Sequence, residues 1–118
     1  MRFDRWTVLL FIRRKDRPAL EPRAAEELQD AHLAYLALLH SNGPLVAAGP
    51  IDPAPGSDLA GVCVYRTDCE ETGKLAGQDP AVRAGVFRTE LYAWSVPEGT
   101  ISFPPSVFPR SMDEAGAP

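Results

Sequence analysis

The chain has 118 residues, a 45% apolar fraction and a formal net charge of −4. That is the size and composition of one globular domain with a core, and the acidic balance excludes the basic footprint of a nucleic-acid binder. No apolar run reaches the ~18 residues of a membrane-spanning helix, and Asp4 and Arg5 interrupt the apolar N-terminus, which reads as a strand rather than a leader.

Residues 5–12 are rich in β-formers. Trp6, Val8, Leu10 and Ile12 face one way, and Leu9 and Phe11 the other. Both faces are apolar, which predicts a central strand. Residues 13–21 form a polar loop. Its basic run, Arg13, Arg14, Lys15 and Arg17, reads as a solvated loop rather than a phosphate or membrane patch.

Residues 22–42 are the clearest helix. Pro22 suits the first helical position, Glu26 and Glu27 follow early, and Gly43-Pro44 supplies a stop. At ~1.5 Å per residue this helix is about 30 Å long. A turn of roughly 100° per residue gathers Leu38, Ala31, Ala24, Tyr35, Leu28, Leu39, His32, Ala25 and Leu36 into one inward arc. His40 lies nearer its edge.

Residues 45–48 make a short strand. Residues 52–58, with Pro53, Pro55 and Gly56, make a turn. Residues 59–66 make a third strand, with Gly61 a bulge or close-approach point. Asp68 is a fair N-cap for a short helix through about Ala76. Residues 85–96 form the last strand. The order β-α-β-β-α-β predicts a ferredoxin-like α+β fold: an antiparallel sheet with two helices on one face. The other sheet face is apolar too and needs cover, which predicts a homodimer.

The chain divides into a domain over residues 1–96 and a Pro-rich extension over residues 97–118. Five of the twelve prolines fall from Pro97 onward, interleaved with Ile101, Phe103, Val107 and Phe108. That apolar density fits a flap over its own domain or an arm across the dimer, with the last residues, 111–118, frayed.

One residue suits chemistry. His32 lies inside the apolar arc, and a histidine is the side chain best placed to carry protons near neutral pH. On its own, an inward histidine is more often a satisfied core residue. Asp79, in Gln78-Asp79-Pro80 after the second helix, is the partner the topology offers. Both helices lie on one side of the sheet, so that loop can approach the first helix and form an acid/base pair. Asp before Pro is also an ordinary turn residue. His32 and His40 lie roughly 80° apart on the wheel, unsuited to a shared metal ion. There is no phosphate-binding glycine loop and no nucleophile elbow, so no cofactor or metal is expected. Cys63 points into a strand and Cys69 sits at a helix start. Neither has a disulfide or metal spacing, which favours the cytoplasm.

The run from Ala31-His32 through Tyr35-Leu36 and Leu39 to Gly43, Leu45 and Ala48-Gly49-Pro50 resembles the YCII-related (YciI-like) family. Glu70-Glu71, Leu75, Asp79-Pro80 and Ala84-Gly85 fit the second half of that pattern, and the likeness spans about residues 5–96. The resemblance implies a dimeric α+β barrel with the family's His and Asp at His32 and Asp79, a proposed acid/base dyad. Similar proteins include a dehydrochlorinase. Thr72 departs from the family's usual alanine. Ala81 stands where a bulky residue often follows Asp-Pro, which implies a wider pocket, and the loop over residues 13–21 and the tail after Val96 are longer than the family core, so that either could close over it.

Three readings stand at this point. One is a cofactor-independent lyase or isomerase acting on a small, partly apolar compound. The second is a non-catalytic dimer that binds a small ligand or regulates. The third is a dimerisation module in which His32 is a core residue.

Overall fold

A computed structural model describes residues 1–116. Strand β1 (Phe3–Arg13) leads into helix α1 (Pro22–Asn42), then β2 (Leu45–Pro50) and β3 (Leu59–Tyr65). Helix α2 (Cys69–Ala76) and the one-turn helix α3 (Pro80–Arg83) precede β4 (Phe87–Pro97), and a second one-turn helix, α4 (Met112–Ala115), closes the described chain. The sheet order is β2-β3-β1-β4, antiparallel throughout. This is the ferredoxin-like arrangement expected from the element order, with β1 central.

Local chemistry explains the boundaries. Pro22 opens α1, and Gly43, at φ 110, ends it in a conformation that side chains with a Cβ avoid. The Gly43 N–H donates to the His40 carbonyl. Asp68 caps α2 by accepting from the Glu71 N–H at 2.8 Å. Gly61 serves both roles offered for it. The β1–β3 register shifts beside it, and a Cβ there would stand 3.1 Å from the Gly49 carbonyl oxygen.

Alternation along β1 sends Thr7, Leu9 and Phe11 under the helices. They meet Leu36 and Leu39 of α1, Leu45 of β2, Cys63 and Tyr65 of β3, and Ala76 of α2. Fully burying one such side chain contributes about 1.5–3 kcal/mol. The arc drawn on α1 is wider than the stripe that packs. His32, Leu36 and Leu39 are buried, while Leu38 is 52% exposed.

On the opposite sheet face Trp6, Val8, Leu10, Ile12, Val62 and Val64 are half-buried, and Tyr92 and Trp94 are exposed. The C-terminal extension covers one corner of it, where Phe103 meets Trp6 edge-on at 5.0 Å. The extension then follows its own chain. Phe108 stacks on His40 at 3.8 Å, and the Met112 N–H donates to Asp30 on α1 at 2.7 Å. Residues 112–115, expected to fray, are therefore helical and tied down. The rest of that expectation, for residues 117 and 118, lies outside the described residues. Among the described residues no helix is long and apolar enough to cross a membrane.

Candidate functional site

His32 is on the third turn of α1. Its ring is 6% exposed and packs against Phe11 of β1, edge-on at 5.1 Å, and Phe87 of β4 at 5.5 Å. Asp79 is fully buried between α2 and α3. His32 Nδ1 lies 2.7 Å from Asp79 Oδ2 and 3.0 Å from Oδ1. The structure thus brings together the two residues that topology offered as partners, at hydrogen-bond distance.

The local reason for Asp79 differs from the turn residue expected. Pro80 opens α3, and Asp79 is its N-cap, with Oδ1 accepting from the Ala81 N–H at 2.9 Å. One carboxylate therefore holds both a helix start and an imidazole.

The weak acids around the pair, Cys63, Tyr65 and Tyr35, are all held in their neutral forms. Burial, and secondarily the Asp79 charge, pushes the Cys63 thiol up to about 12. Burial also raises the Tyr65 phenol, with smaller contributions from Cys63, Asp79 and Tyr35. Tyr35 is raised by burial and then by Asp79, and its hydroxyl donates to the Leu75 carbonyl at 2.7 Å. All three stay neutral at physiological pH.

A carboxylate can only accept, so His32 Nδ1 carries the proton. In the neutral ring Nε2 is then a lone pair. Nε2 has no partner among the described residues, and the sealed unpaired polar atoms are Trp6 Nε1 and the Tyr65 hydroxyl, not this one. His32 lines a cavity of about 700 Å³ between α1 and the sheet, so Nε2 is the basic atom on that wall. The volume is within the range of small-molecule sites. Phe11, Leu28, Leu36, Cys63 and Phe87 are among its apolar lining residues.

Ala81 also lines the cavity and is buried. The missing bulk after Asp-Pro therefore falls at the pocket, as the family pattern implied. The two segments that run longer than the family pattern, the tail after Val96 and the loop over residues 13–21, also contribute, as the resemblance implied. Phe108, Pro109, Met112 and Ala115 of the extension form part of the wall, and so do Arg13, Arg17, Pro18 and Leu20 of the first loop. Strand parity was the available signal for Arg13, which shares the inward parity of Phe11. The folded-back extension left no periodic signal.

His40 has a different setting. Nδ1 is 2.8 Å from the Leu45 carbonyl, and Nε2 is 3.0 Å from both the carbonyl and hydroxyl oxygens of Ser106. It borders a larger, more open groove of about 920 Å³ with Arg66, Phe103 and Phe108. Cys63 and Cys69 are both free thiols. Among the described residues no group of three or more His, Cys, Asp or Glu side chains is placed to hold a metal ion.

The YCII-related domain matches residues 8–95, three-quarters of the chain. The chain belongs to the YCII-related domain family. No curated protein matches it. Among solved structures, this YCII-related chain is similar to the 5-chloro-2-hydroxyhydroquinone dehydrochlorinase TftG of Burkholderia phenoliruptrix AC1100, in its complex with 2,5-dihydroxybenzoquinone. The two are 20% identical with a TM-score of 0.56, over 75% of this chain and 92% of that one. At that identity the likeness establishes a shared fold.

Proposed function

We propose that this YCII-related protein is a cofactor-independent lyase or isomerase that moves a proton on a small, partly apolar ring compound. His32 Nε2 is the general base and then the acid. Asp79 fixes the tautomer and stabilises the imidazolium that forms when Nε2 takes the proton. The observation that supports this is the 2.7 Å bond from His32 Nδ1 to a fully buried carboxylate, with the other ring nitrogen open to an apolar cavity. In a lyase step the proton goes to Nε2, the C–H pair becomes a π bond, and the leaving group departs with its own electron pair. The similarity to a dehydrochlorinase supports a search among such eliminations.

The test is a panel of small hydroxylated and chlorinated ring compounds, including 5-chloro-2-hydroxyhydroquinone, followed by proton NMR in D2O. Exchange or loss of a ring proton is expected with the natural protein. With His32→Gln it is expected to fall by about 10²–10⁴-fold, the usual contribution of a positioned acid/base. Unchanged turnover in a folded His32→Gln variant overturns the catalytic role. Ligand binding without turnover in either protein points to a binding module.

The same proposal includes a homodimer joined through the apolar sheet face in a dimeric α+β barrel, and a cytoplasmic setting consistent with two free thiols. Trp94 is 39% exposed and Tyr92 53% exposed on that face. Exposed aromatic surface on an apolar sheet face supports this reading. Sedimentation is expected to give twice the mass of one chain, and Trp94→Arg to shift it toward the monomer. A monomeric natural protein at micromolar concentration overturns this part.

A further inference from the structure

We propose that Arg13 and Arg17 form an anion-recognising wall of the His32 cavity, so that its occupant is a small ring compound carrying one planar oxyanion, a carboxylate or an ionised ring hydroxyl. The inference rests on reading the cavity as a binding site and does not depend on catalysis there.

The basic run of the first loop divides into two pairs. Arg14 donates from Nε and Nη2 to the two carboxylate oxygens of Asp16 at 2.8 and 2.9 Å, and Lys15 donates to Asp58 at 2.8 Å. Neither residue lines the cavity. Arg13 and Arg17 do line it, and among the described residues neither has an ion-pair partner. The residues lining the cavity include no Asp or Glu, in a chain whose net charge is −4. The charged side chains of the lining are therefore opposite in sign to the net charge of the chain, and the nearest carboxylate, Asp79, sits behind His32.

Each arginine is aimed by its own element. Arg13 is the last residue of β1, opposite Phe87 of β4, and shares the inward parity of Leu9 and Phe11. Same-face neighbours on a strand are about 7 Å apart, which sets Arg13 beside Phe11, and Phe11 packs edge-on to His32. Arg17 donates from Nη1 to the Arg14 carbonyl at 2.8 Å. That bond holds the side chain against its loop and leaves most of the guanidinium's five donors unused.

Asp58 is the acid that competes for this charge. Its carboxyl is held below the usual range chiefly by the hydrogen bond from Lys15, with smaller effects from Arg17 and Arg13, and it lies outside the cavity lining. A guanidinium donates two parallel hydrogen bonds to the oxygen pair of a carboxylate, or converging ones to the single oxygen of an ionised ring hydroxyl. The aromatic surface of Phe11, Phe87 and Phe108 suits the ring that carries them.

The experiment compares 2-naphthoate with its neutral isostere 2-naphthamide, and pentafluorophenolate as the ring-hydroxyl anion, by NMR titration at low salt. The protein is full-length His32→Gln, so catalysis plays no part. Either anion is expected to bind at least ~10-fold more tightly than the amide, as charge-assisted hydrogen bonds do. Adding Arg13→Gln and Arg17→Gln is expected to abolish that preference, while Arg14→Gln, which alters only the pair outside the cavity, preserves it. The stronger of the two anions identifies the oxyanion source. Equal binding of anion and amide overturns the anion wall and leaves the cavity as a site. Binding of none of the three overturns both.

Discussion

Helix α1 carries both histidines of the chain, and the two have opposite arrangements. His32 has one nitrogen committed to a buried carboxylate and the other open to a cavity. His40 has both nitrogens within hydrogen-bond reach of the protein, Nδ1 at the Leu45 carbonyl and Nε2 at Ser106, and its ring face is covered by Phe108. Burial alone does not distinguish a reactive histidine from a structural one. The distinguishing feature is an uncommitted nitrogen facing a space that a ligand can enter.

The largest expected effect tests that difference directly. His32→Gln removes the basic atom on the cavity wall and is expected to lower turnover by about 10²–10⁴-fold. His40→Gln, eight residues along the same helix, is expected to change it by only a few-fold. Comparable losses at both positions would mean that the C-terminal extension, a strap running over α1 to His40, shapes the site as strongly as the cavity wall does.

Stability comes next. Asp79 is fully buried, accepts from His32 and caps α3. A hydrogen bond to a charged group contributes about 1.5–3 kcal/mol and an N-cap about 1 kcal/mol, so Asp79→Ala is expected to lower urea stability by about 2–4 kcal/mol. Ser106→Ala, at the exposed His40 contact, is expected to cost under ~1 kcal/mol, as exposed polar contacts do. A small loss at Asp79 would show that the pair holds the site without holding the fold.

A stability effect confined to alkaline conditions should appear in the pH profile. Cys63 lines the same cavity as His32, and its thiol is raised from 9.0 to about 12 by burial and then by Asp79. The folded chain keeps this proton where the unfolded chain releases it. Its stabilising contribution is thus fully present below about pH 9, and is lost as pH rises toward 12. The slope attributable to this thiol is about 1.4 kcal/mol per pH unit in that window. Urea midpoints of the natural protein and Cys63→Ala, followed from neutral to alkaline pH, are expected to converge there. Parallel profiles would place Cys63 in a more polar setting than its burial shows.

The sequence made the two regions unequally legible. Pro22 and Gly43 are strong local signals, and α1 begins and ends where they predict. Strand parity likewise placed β1 in the sheet with the correct faces. Pairing His32 with Asp79 needed topology as well as pattern, because the residues are 47 apart in sequence. The α3 cap was missed because one turn of helix leaves no periodicity to read, and Asp-Pro fits a turn equally well. Leu38 was placed inward because a wheel assigns a whole arc, whereas the sheet contacts a narrower stripe. The loop arginines were grouped by charge alone. Only the paired acids, Asp16 and Asp58, separate Arg14 and Lys15 from the two that face the cavity.

The strap itself is the least legible feature and supports the smallest prediction. Phe108 touches both regions: it stacks on His40 at an interplanar angle of 7° and lines the His32 cavity. Phe108→Ala is expected to cost about 1 kcal/mol of global stability, since a stacked aromatic pair contributes about 0.5–1.5 kcal/mol beyond its buried area and the strap's path over α1 is also held by the Met112–Asp30 bond. Its local effect should be larger. Amide hydrogen exchange is expected to speed up across residues 104–112 while the Leu9 and Tyr65 amides, in central strands, stay protected. Equal acceleration in strap and sheet would show that the strap folds with the core as one unit. Acceleration confined to the strap would make it a separately opening wall, so that access to His32 is set by the segment that binds His40.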